Sequence, residues 1–228
     1  MLPILKSITK KFNMKLISGL SISILLFSCC DKSCSSSKNK DNQTKQEVLD
    51  TAKFDYGQLP FKSKNGNLTA VIEIPAGTNG KFEYNYKLKE FTQEIRNGKP
   101  RTVKFLPYVG NYGFIPGTYM NPSIGGDGDA LDILVIGESI KQGEIIEIKP
   151  IATLKLIDGG EEDHKVIGVP VDEKLNVANI TNYASLSEPI KEIIKIWFTS
   201  YKGKNKMEFQ GWIGTDSTNA EIKKWIKK

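Results

Sequence analysis

The sequence predicts an α+β domain, mainly β, built around a small antiparallel sheet or barrel. Short apolar runs rich in β-branched residues, separated by Gly, Pro, Asn and Asp, dominate from about residue 68 onward. Helical periodicity is confined to the last 45 residues or so, and strands and helices do not alternate regularly. The 228 residues, 39% hydrophobic and 25% charged, are enough for a buried core and exclude a wholly disordered chain.

Six runs have the length and composition of strands. In chain order they are residues 68–74, 82–88, 102–105, 131–136, 145–156 and 165–169. Turn-forming residues interrupt them at 75–80, 97–100, 125–128 and 158–160.

Two helices are predicted after the strands. Ser187 followed by Glu188 and Pro189 is typical of a helix N-terminus. The i, i+3, i+4, i+7 spacing of a buried stripe follows at Ile190, Ile193, Ile194 and Trp197. A second helix is predicted from about Asn219, with its apolar positions at Ile222, Trp225 and Ile226.

The N-terminus has the pattern of a secretion signal. Lysines precede the apolar run LISGLSISILLF at 16–27, and residues 26–29, LFSC, resemble a bacterial lipobox. A twelve-residue helix rises only about 18 Å against a hydrocarbon core of about 30 Å, which disfavours a permanent transmembrane helix. We therefore expect a lipoprotein signal peptide at 1–28 and a mature chain acylated at Cys29. A buried N-terminal helix with an incidental cysteine is the alternative, and Met14 opens a shorter version of the same signal.

Residues 29–50 are polar and rich in Ser, Lys and Asn, which predicts a flexible tether between the lipid and a domain at 51–228. The expected location is the cell membrane or cell envelope, with the membrane as a partner through the lipid. Of the 32 basic residues four lie in 1–28, which leaves 28 against 26 acidic residues and removes the main support for a nucleic-acid partner. The three cysteines, at 29, 30 and 34, all precede the domain, so it has neither a disulfide framework nor a cysteine zinc site.

The densest chemical signal is the acidic sequence DGDALD, which places Asp127, Asp129 and Asp132 within six residues and runs directly into an apolar strand. Carboxylates this close repel one another unless cations lie between them, and hard divalent metals take such ligands. A catalytic metal site is one interpretation and a solvated acidic turn is the other. A calcium-binding EF-hand loop is disfavoured, because Leu131 and Asp132 stand where that loop needs an oxygen ligand and a glycine.

Around this cluster the sequence resembles soluble family I inorganic pyrophosphatases. The matching segments are VIEIPAG at 71–77, KFE at 81–83, NYGFIP at 111–116, DGDALDILVI at 127–136, LKLIDGGEEDHKVIGVP at 154–170, FTSYK at 198–202 and GW at 211–212. They occur in the family's order over residues 68–212. The resemblance implies a five-stranded OB-like barrel with flanking helices, and hydrolysis of pyrophosphate with several Mg²⁺ ions per site.

The resemblance also implies a role for each charged residue. The tightest metal site would be formed by Asp127, Asp132 and Asp163, with Asp132 also facing a second metal. The sites of metals that arrive with substrate would be lined by Glu73, Glu83, Asp158 and Asp163. Asp129 would take the proton of the attacking water. Phosphate contacts would come from Lys81, Arg101, Tyr112, Lys165, Tyr201 and Lys202.

These residue types suit the chemistry. Pyrophosphate is an anion approaching a carboxylate-lined site, so divalent cations must bridge the two and protein cations must neutralise the far side. Some details depart from the family pattern: the spacing from Arg101 to Tyr112 is one residue shorter, and the loop at 116–127 is longer. The choice between Lys204 and Lys206 as a further phosphate contact stays open.

Other interpretations remain. A non-catalytic OB-type surface module that binds divalent cations is the alternative from another functional class, and an enzyme for another phosphoanhydride is a third. Tyr112 and Tyr201 could be core aromatic residues whose hydroxyls have partners. The single histidine, His164, is expected at the surface or an interface and not as a ligand. Soluble members of the family assemble, so a homo-oligomer is an open expectation.

Overall fold

The computed structural model describes residues 53–227. The predicted signal peptide, the lipidation site at Cys29 and the tether lie outside the described residues. The strands are β1 (Leu68–Ile74), β2 (Phe82–Asn85), β3 (Glu90–Gln93), β4 (Ile95–Arg96), β5 (Lys99–Pro100), β6 (Asn111–Phe114), β7 (Asp132–Val135), β8 (Ile145–Asp158), β9 (Glu161–Glu162), β10 (Lys165–Pro170) and β11 (Met207–Gly214). The helices are α1 (Glu188–Ser200) and α2 (Thr215–Lys224), with 3-10 turns at Tyr56–Gln58, Pro122–Ile124 and Tyr183–Ser185. No helix in the described part has the length and apolar character needed to cross a bilayer.

The main sheet has seven strands, and five of them are hydrogen-bonded in a circuit. Its order is β1-β6-β7-β10-β8-β11, β1 also pairs with β8, and β9 pairs with β8. The sequence predicts an antiparallel sheet, but β7 and β10 are parallel. An all-antiparallel circuit needs an even number of strands, so a circuit of five must contain a parallel pair. The sheet is therefore mixed.

Most of the predicted strands are present. Residues 68–74, 131–136, 145–156 and 165–169 contain or lie within β1, β7, β8 and β10. In two of these runs, β1 and β10, every residue is buried. A strand buried on both faces needs continuous apolar sequence, which is why these runs are visible without long-range information.

Two predicted strands differ from the structure. The run at 82–88 ends as a strand at Asn85, whose side chain accepts hydrogen bonds from the backbone N–H groups of Lys87 and Leu88 and turns the chain toward β3. The strand predicted at 102–105 is wrong. The backbone there forms a loop, which is held by a hydrogen bond from the N–H of Val103 to the carbonyl of Asn79.

Helix α1 is confirmed, but its buried face is rotated from the prediction. The inward residues are Lys191, Ile194, Trp197 and Phe198, whereas Ile193 is 55% exposed. Successive residues of an α-helix are rotated by about 100°, so Ile193 and Phe198, five residues apart, point about 140° away from each other. With Phe198 facing the core, Ile193 faces away from it. The indole N–H of Trp197 donates to the carbonyls of Leu106 and Pro107, which fixes this orientation.

Helix α2 starts earlier than predicted and ends before two of its predicted apolar positions. It begins at Thr215, whose hydroxyl donates to the carbonyl of Ile151. The first turn is polar and therefore carries no apolar periodicity. Trp225 follows the helix and is buried at 1% exposure. Helix α2 packs on β8 and β11, while α1 carries its C-terminal residues to the opposite side of the core, where the candidate site lies.

Candidate active site

One cleft collects the predicted site residues. Its volume is 320 Å³. The side chains that line it come from strands β1, β2, β6, β7, β8, β9 and β10, from the loops beside them, and from the residues that follow α1. All thirteen predicted metal, substrate and catalytic residues are among them: Glu73, Lys81, Glu83, Arg101, Tyr112, Asp127, Asp129, Asp132, Asp158, Asp163, Lys165, Tyr201 and Lys202. These positions span 130 residues of sequence, so the fold is what brings them together.

The cleft has more acidic than basic side chains. Eight carboxylates line it: Glu73, Glu83, Asp127, Asp129, Asp132, Asp158, Glu161 and Asp163. Four basic side chains face them: Lys81, Arg101, Lys165 and Lys202. A site with this excess of negative charge attracts cations and disfavours a bare anion.

Asp132 lies at the centre of the charged network. It is the first residue of β7, and the sheet register sets it opposite Phe114 on β6 and Lys165 on β10. Its carboxylate accepts hydrogen bonds from the Tyr112 hydroxyl and the Lys165 ammonium. Burial opposes the charge on Lys165, but Asp132 and Asp163 outweigh it and hold the pKa of Lys165 well above its ordinary value. The ammonium therefore stays charged.

The acidic turn before β7 presents the other two aspartates. Within the described residues, neither Asp127 nor Asp129 forms a salt bridge. The backbone N–H of Asp129 donates to Asp127 at 3.0 Å, which holds the turn. Burial raises the pKa of Asp127 to about 6, and burial together with nearby carboxylates also raises the pKa of Asp129. Asp127 can therefore gain or lose a proton near neutrality more readily than an ordinary aspartate.

Close packing sets the position of this turn. A Cβ atom at Gly126 would lie 2.4 Å from the backbone carbon of Met120, a distance that no side chain tolerates. Met120 itself is 1% exposed, and its carbonyl accepts the N–H of Gly128 at 2.8 Å. The glycine therefore lets the aspartate-bearing turn lie directly against buried backbone.

Glu73 and Asp163 are the two buried carboxylates of the cleft, each 7% exposed. Glu73 lies on β1 and accepts the backbone N–H of Tyr84 at 2.7 Å. Burial raises its pKa to about 8, although the nearby Lys81 acts in the opposite direction. Without a further cation, Glu73 is therefore largely protonated at neutral pH.

Asp158 and Asp163 face the end of α1. The ammonium of Lys202 lies 2.5 Å from Asp158 and 3.6 Å from Asp163. Burial alone would raise the pKa of Asp163, but its ion pairs with Lys165 and Lys202 outweigh burial and lower it.

The remaining basic residues of the cleft are also paired with carboxylates. Lys81 lies 3.0 Å from Glu83 and 5.2 Å from the centre of the Tyr112 ring. Arg101 forms an ion pair with Glu94, and its backbone N–H also donates to the Glu94 carbonyl at 2.7 Å. The shorter spacing between Arg101 and Tyr112 therefore does not remove Arg101 from the cleft.

Tyr112 is buried in the core, Tyr201 is partly buried against it, and both reach the cleft. Burial and the charge of Asp132 hold the pKa of Tyr112 well above its ordinary value, so its hydroxyl remains a donor. The ring of Tyr201 stacks on Trp197 with centroids 4.6 Å apart and planes at 13°. Neither Lys204 nor Lys206 is among the side chains that line the cleft.

Comparison with known proteins identifies the family. A family model described as inorganic pyrophosphatase matches residues 70–228. The chain belongs to the inorganic pyrophosphatase family. An inorganic pyrophosphatase of Nostoc sp. is 32% identical over 177 residues, covering 76% of this chain and 98% of the relative. One of Drosophila melanogaster is 33% identical over 204 residues, covering 72% of this chain but only 59% of the relative, so the chain spans about three fifths of that longer protein.

Solved pyrophosphatase structures share the mainly-β fold with few helices. The inorganic pyrophosphatase of Thermus thermophilus superposes with a TM-score of 0.65 at 28% identity, covering 76% of this chain and 97% of that one. That of Neisseria gonorrhoeae gives a TM-score of 0.62 at 28% identity, covering 75% and 97%. Pyrophosphatase membership implies a divalent metal requirement, and the donor set of the cleft fits it. The potential ligands are carboxylate oxygens, with no histidine or cysteine among the lining residues, as hard cations prefer.

The structure of this pyrophosphatase chain corrects the expectation that His164 lies at the surface. The ring points away from the cleft, as predicted, but it is 1% exposed and not at the surface. Helix α2 covers it, and Nδ1 lies 2.9 Å from the Glu221 carboxylate. Strand alternation predicts which side a residue faces but not what packs on that side.

The sequence did not predict Glu161 in the pyrophosphatase cleft, nor Glu94 and Tyr108, which contact predicted site residues without lining the cleft themselves. Glu161 lines it, and its place in the acidic run GGEED was a usable signal. Glu94 pairs with Arg101 only because β4 and β5 fold back on each other. Tyr108 is 2% exposed, its ring centre lies 5.3 Å from that of Tyr112, and its buried hydroxyl has no partner within residues 53–227.

Proposed function

We propose that this chain hydrolyses inorganic pyrophosphate to two orthophosphates in the 320 Å³ cleft. The observation that carries the proposal is the convergence of eight carboxylates, four basic side chains and four tyrosines on one cleft, in a chain of the pyrophosphatase family. Such a set can hold cations on one wall and phosphate oxygens on the other. A five-strand hydrogen-bonded circuit supports the OB-like barrel as the scaffold of this cleft.

Mg²⁺ is the proposed metal, with several ions per site. Asp127, Asp132 and Asp163 would hold the tightest ion, with Asp132 also facing a second. Ions arriving with substrate would be held by Glu73, Glu83, Asp158 and Asp163. When bound, these ions lower the pKa of water and neutralise phosphate charge.

The protein residues complete the reaction. Asp129 accepts the proton of the attacking water, for which its raised pKa is suited. The Arg101 guanidinium binds two phosphate oxygens, and the lysines act as point charges. Tyr112 and Tyr201 donate neutral hydrogen bonds. These donors keep the departing phosphate in place as its charge develops.

The test is phosphate release from pyrophosphate by the full chain, with Mg²⁺ and with EDTA. We expect turnover that requires Mg²⁺, and none from Asp132→Asn, which loses one charge that both metal ions need. Binding of Mg²⁺ without turnover would favour the cation-binding surface module and contradict the proposal. Faster release from a nucleoside triphosphate than from pyrophosphate would contradict the substrate.

We also propose that the chain is anchored to a membrane of the cell envelope through a lipid on Cys29. The support is the lysine-rich start, the apolar run and the small Ser28 before the cysteine. Mass spectrometry of the mature N-terminus tests this. Cys29→Ser should abolish the acylated species, and Cys30→Ser should retain it. An unmodified chain starting at Met1 or Met14 in the soluble fraction would contradict the anchor.

A further inference from the structure

We propose a second cation site, formed by Glu162, His164 and Glu221 and suited to Zn²⁺. The site lies where α2 packs against the segment that joins β9 to β10. One ligand atom from each residue lies within 4.8 Å of the others. None of the three lines the catalytic cleft, so this cluster is separate from the carboxylates assigned above.

The ligand types distinguish this cluster from the cleft. The cleft offers carboxylate oxygens, whereas the cluster combines one imidazole nitrogen with two carboxylates. Imidazole is a favoured ligand of Zn²⁺ and a poor one for Mg²⁺, and three protein ligands with one water complete a common zinc coordination. Excess Mg²⁺ can therefore occupy the cleft and leave this site open to Zn²⁺.

The imidazole is held ready for coordination. His164 is 1% exposed, and its Nδ1 lies 2.9 Å from Oε1 of Glu221. The same carboxylate oxygen accepts the indole N–H of Trp225 at 2.7 Å, which fixes its rotamer. The other ring nitrogen, Nε2, is buried and has no hydrogen-bond partner among the described residues. Nδ1 is the ring nitrogen that faces Glu221, so a coordinated ion would take the place of the Nδ1–Glu221 hydrogen bond and the ring proton would lie on Nε2.

The ammonium of Lys224 already contacts Glu162, the third of the proposed ligands. The ammonium of Lys224 is 2.6 Å from Oε2 of Glu162, and the two side chains are 35% and 29% exposed. Because this ion pair is accessible to solvent, it is weak and can open at little cost. An entering metal ion would replace the ammonium, and Lys224 would turn toward solvent.

A bound ion would also affect the catalytic cleft, because its ligands are adjacent in sequence to residues that line the cleft. His164 lies between Asp163 and Lys165, both of which line the cleft. The backbone N–H of Glu162 donates to the carbonyl of Gly125 at 2.7 Å, which ties β9 to the acidic turn. An ion at Glu162, His164 and Glu221 would thus fasten α2 to the segment that carries catalytic carboxylates.

The single histidine of the chain makes the test direct. The full-length protein, with its cysteines alkylated and Mg²⁺ in excess, is titrated with Zn²⁺ while imidazole ¹⁵N resonances are recorded by NMR. We expect saturable displacement of the His164 nitrogen resonances at one equivalent of Zn²⁺. Unchanged imidazole resonances at several equivalents would overturn the proposal, whether or not the protein hydrolyses pyrophosphate.

Two partly exposed positions give variants that should fold. Glu162→Gln should weaken Zn²⁺ binding by at least about tenfold, since one ligand is lost. Glu208→Gln, on the exposed part of β11, is the matched control and should leave binding unchanged. Lys224→Met should tighten binding by about twofold to fivefold, because the competing ammonium is gone. Equal Zn²⁺ affinity in Glu162→Gln and Glu208→Gln, or weaker binding in Lys224→Met, would overturn the site.

Discussion

Asp129 and Asp127 are two residues apart on one turn, yet they are suited to different tasks. The oxygen of Asp127 is engaged by the backbone N–H of Asp129, whereas the Asp129 carboxylate accepts no hydrogen bond within the described structure. Both oxygens of the Asp129 carboxylate are therefore free to accept a proton, which suits the base role proposed for it.

Asp129→Asn should therefore lower kcat at neutral pH by at least about 100-fold, with a much smaller change in Mg²⁺ affinity, because the amide cannot accept the proton. Higher pH should restore part of the rate, since hydroxide then needs no base. The measurement is a pH profile of kcat and of Mg²⁺ dependence, with Asp127→Asn as the matched variant that should mainly raise the Mg²⁺ requirement. A full rate for Asp129→Asn at saturating Mg²⁺ would show that Asp129 is a ligand and not the base.

Glu73 gives a prediction about stability. In the metal-free protein its pKa is about 8 because of burial, against 4.5 for an ordinary glutamate. Between these values the folded state holds a proton that the unfolded state has lost, so stability must fall as pH rises. The slope contributed by one such group reaches about 1.4 kcal/mol per pH unit.

Urea unfolding in EDTA from pH 5 to 8.5 tests this effect. Glu73→Gln should flatten the decline in unfolding free energy, because the amide does not ionise. Glu83→Gln removes a carboxylate from the exposed rim of the same cleft and should leave the decline in place. Equal slopes for wild type and Glu73→Gln would show that Glu73 is ionised in the metal-free protein.

At the scale of elements, the acidic turn depends on its contact with Met120. A methyl group at Gly126 must displace the turn, since its Cβ would lie 2.4 Å from backbone carbon. Gly126→Ala should thus lower Mg²⁺ affinity by about tenfold or more and stability by about 1–3 kcal/mol. Gly125→Ala is the matched control: its φ of 96° brings strain, but its Cβ would meet nothing within 4 Å. Calorimetric Mg²⁺ titration compares the two, and equal Mg²⁺ affinities would contradict the role of this contact.

The elements that were predictable from sequence are those whose own residues determine them. β1 and β10 are continuous apolar runs because both faces are buried, and the DGDALD turn keeps three carboxylates adjacent in sequence. β6 and β11 were missed as strands, because NYGF and MEFQGWIG contain glycine and polar residues and are stabilised by pairing with distant strands.

The site residues likewise divide into those that sequence predicts and those that it does not. Residues adjacent to a motif, such as Lys81 and Lys165, could be placed from the resemblance, and the structure puts them in the cleft. The placement of Tyr108 beside Trp197 and of His164 beside Glu221 depends on contacts between segments far apart in the chain. Such contacts are set by the register of the sheet and by the packing of α2, neither of which local sequence determines.

For the whole molecule, the eight carboxylates and four basic side chains of the cleft make folding sensitive to divalent cations. Repulsion among the uncompensated carboxylates destabilises the metal-free folded state more than the unfolded chain, in which the same groups are far apart. A cation that binds only the folded state adds about 2.7 kcal/mol of stability at a free concentration 100 times its dissociation constant.

Mg²⁺ should therefore raise the unfolding temperature of this chain by about 5–10 °C relative to EDTA, since each kcal/mol is worth about 2–4 °C in a domain of this size. Scanning calorimetry at constant ionic strength, adjusted with NaCl, separates specific binding from general screening. Asp132→Asn should lose most of the Mg²⁺ effect, because the carboxylate shared by the proposed ions is replaced by a neutral amide. The unfolding temperature of this variant in EDTA should change little. Relief of carboxylate repulsion offsets the loss of one of the two partners of the buried Lys165. The same unfolding temperature in EDTA and in Mg²⁺ for the wild type would show that the folded cleft does not bind the ion.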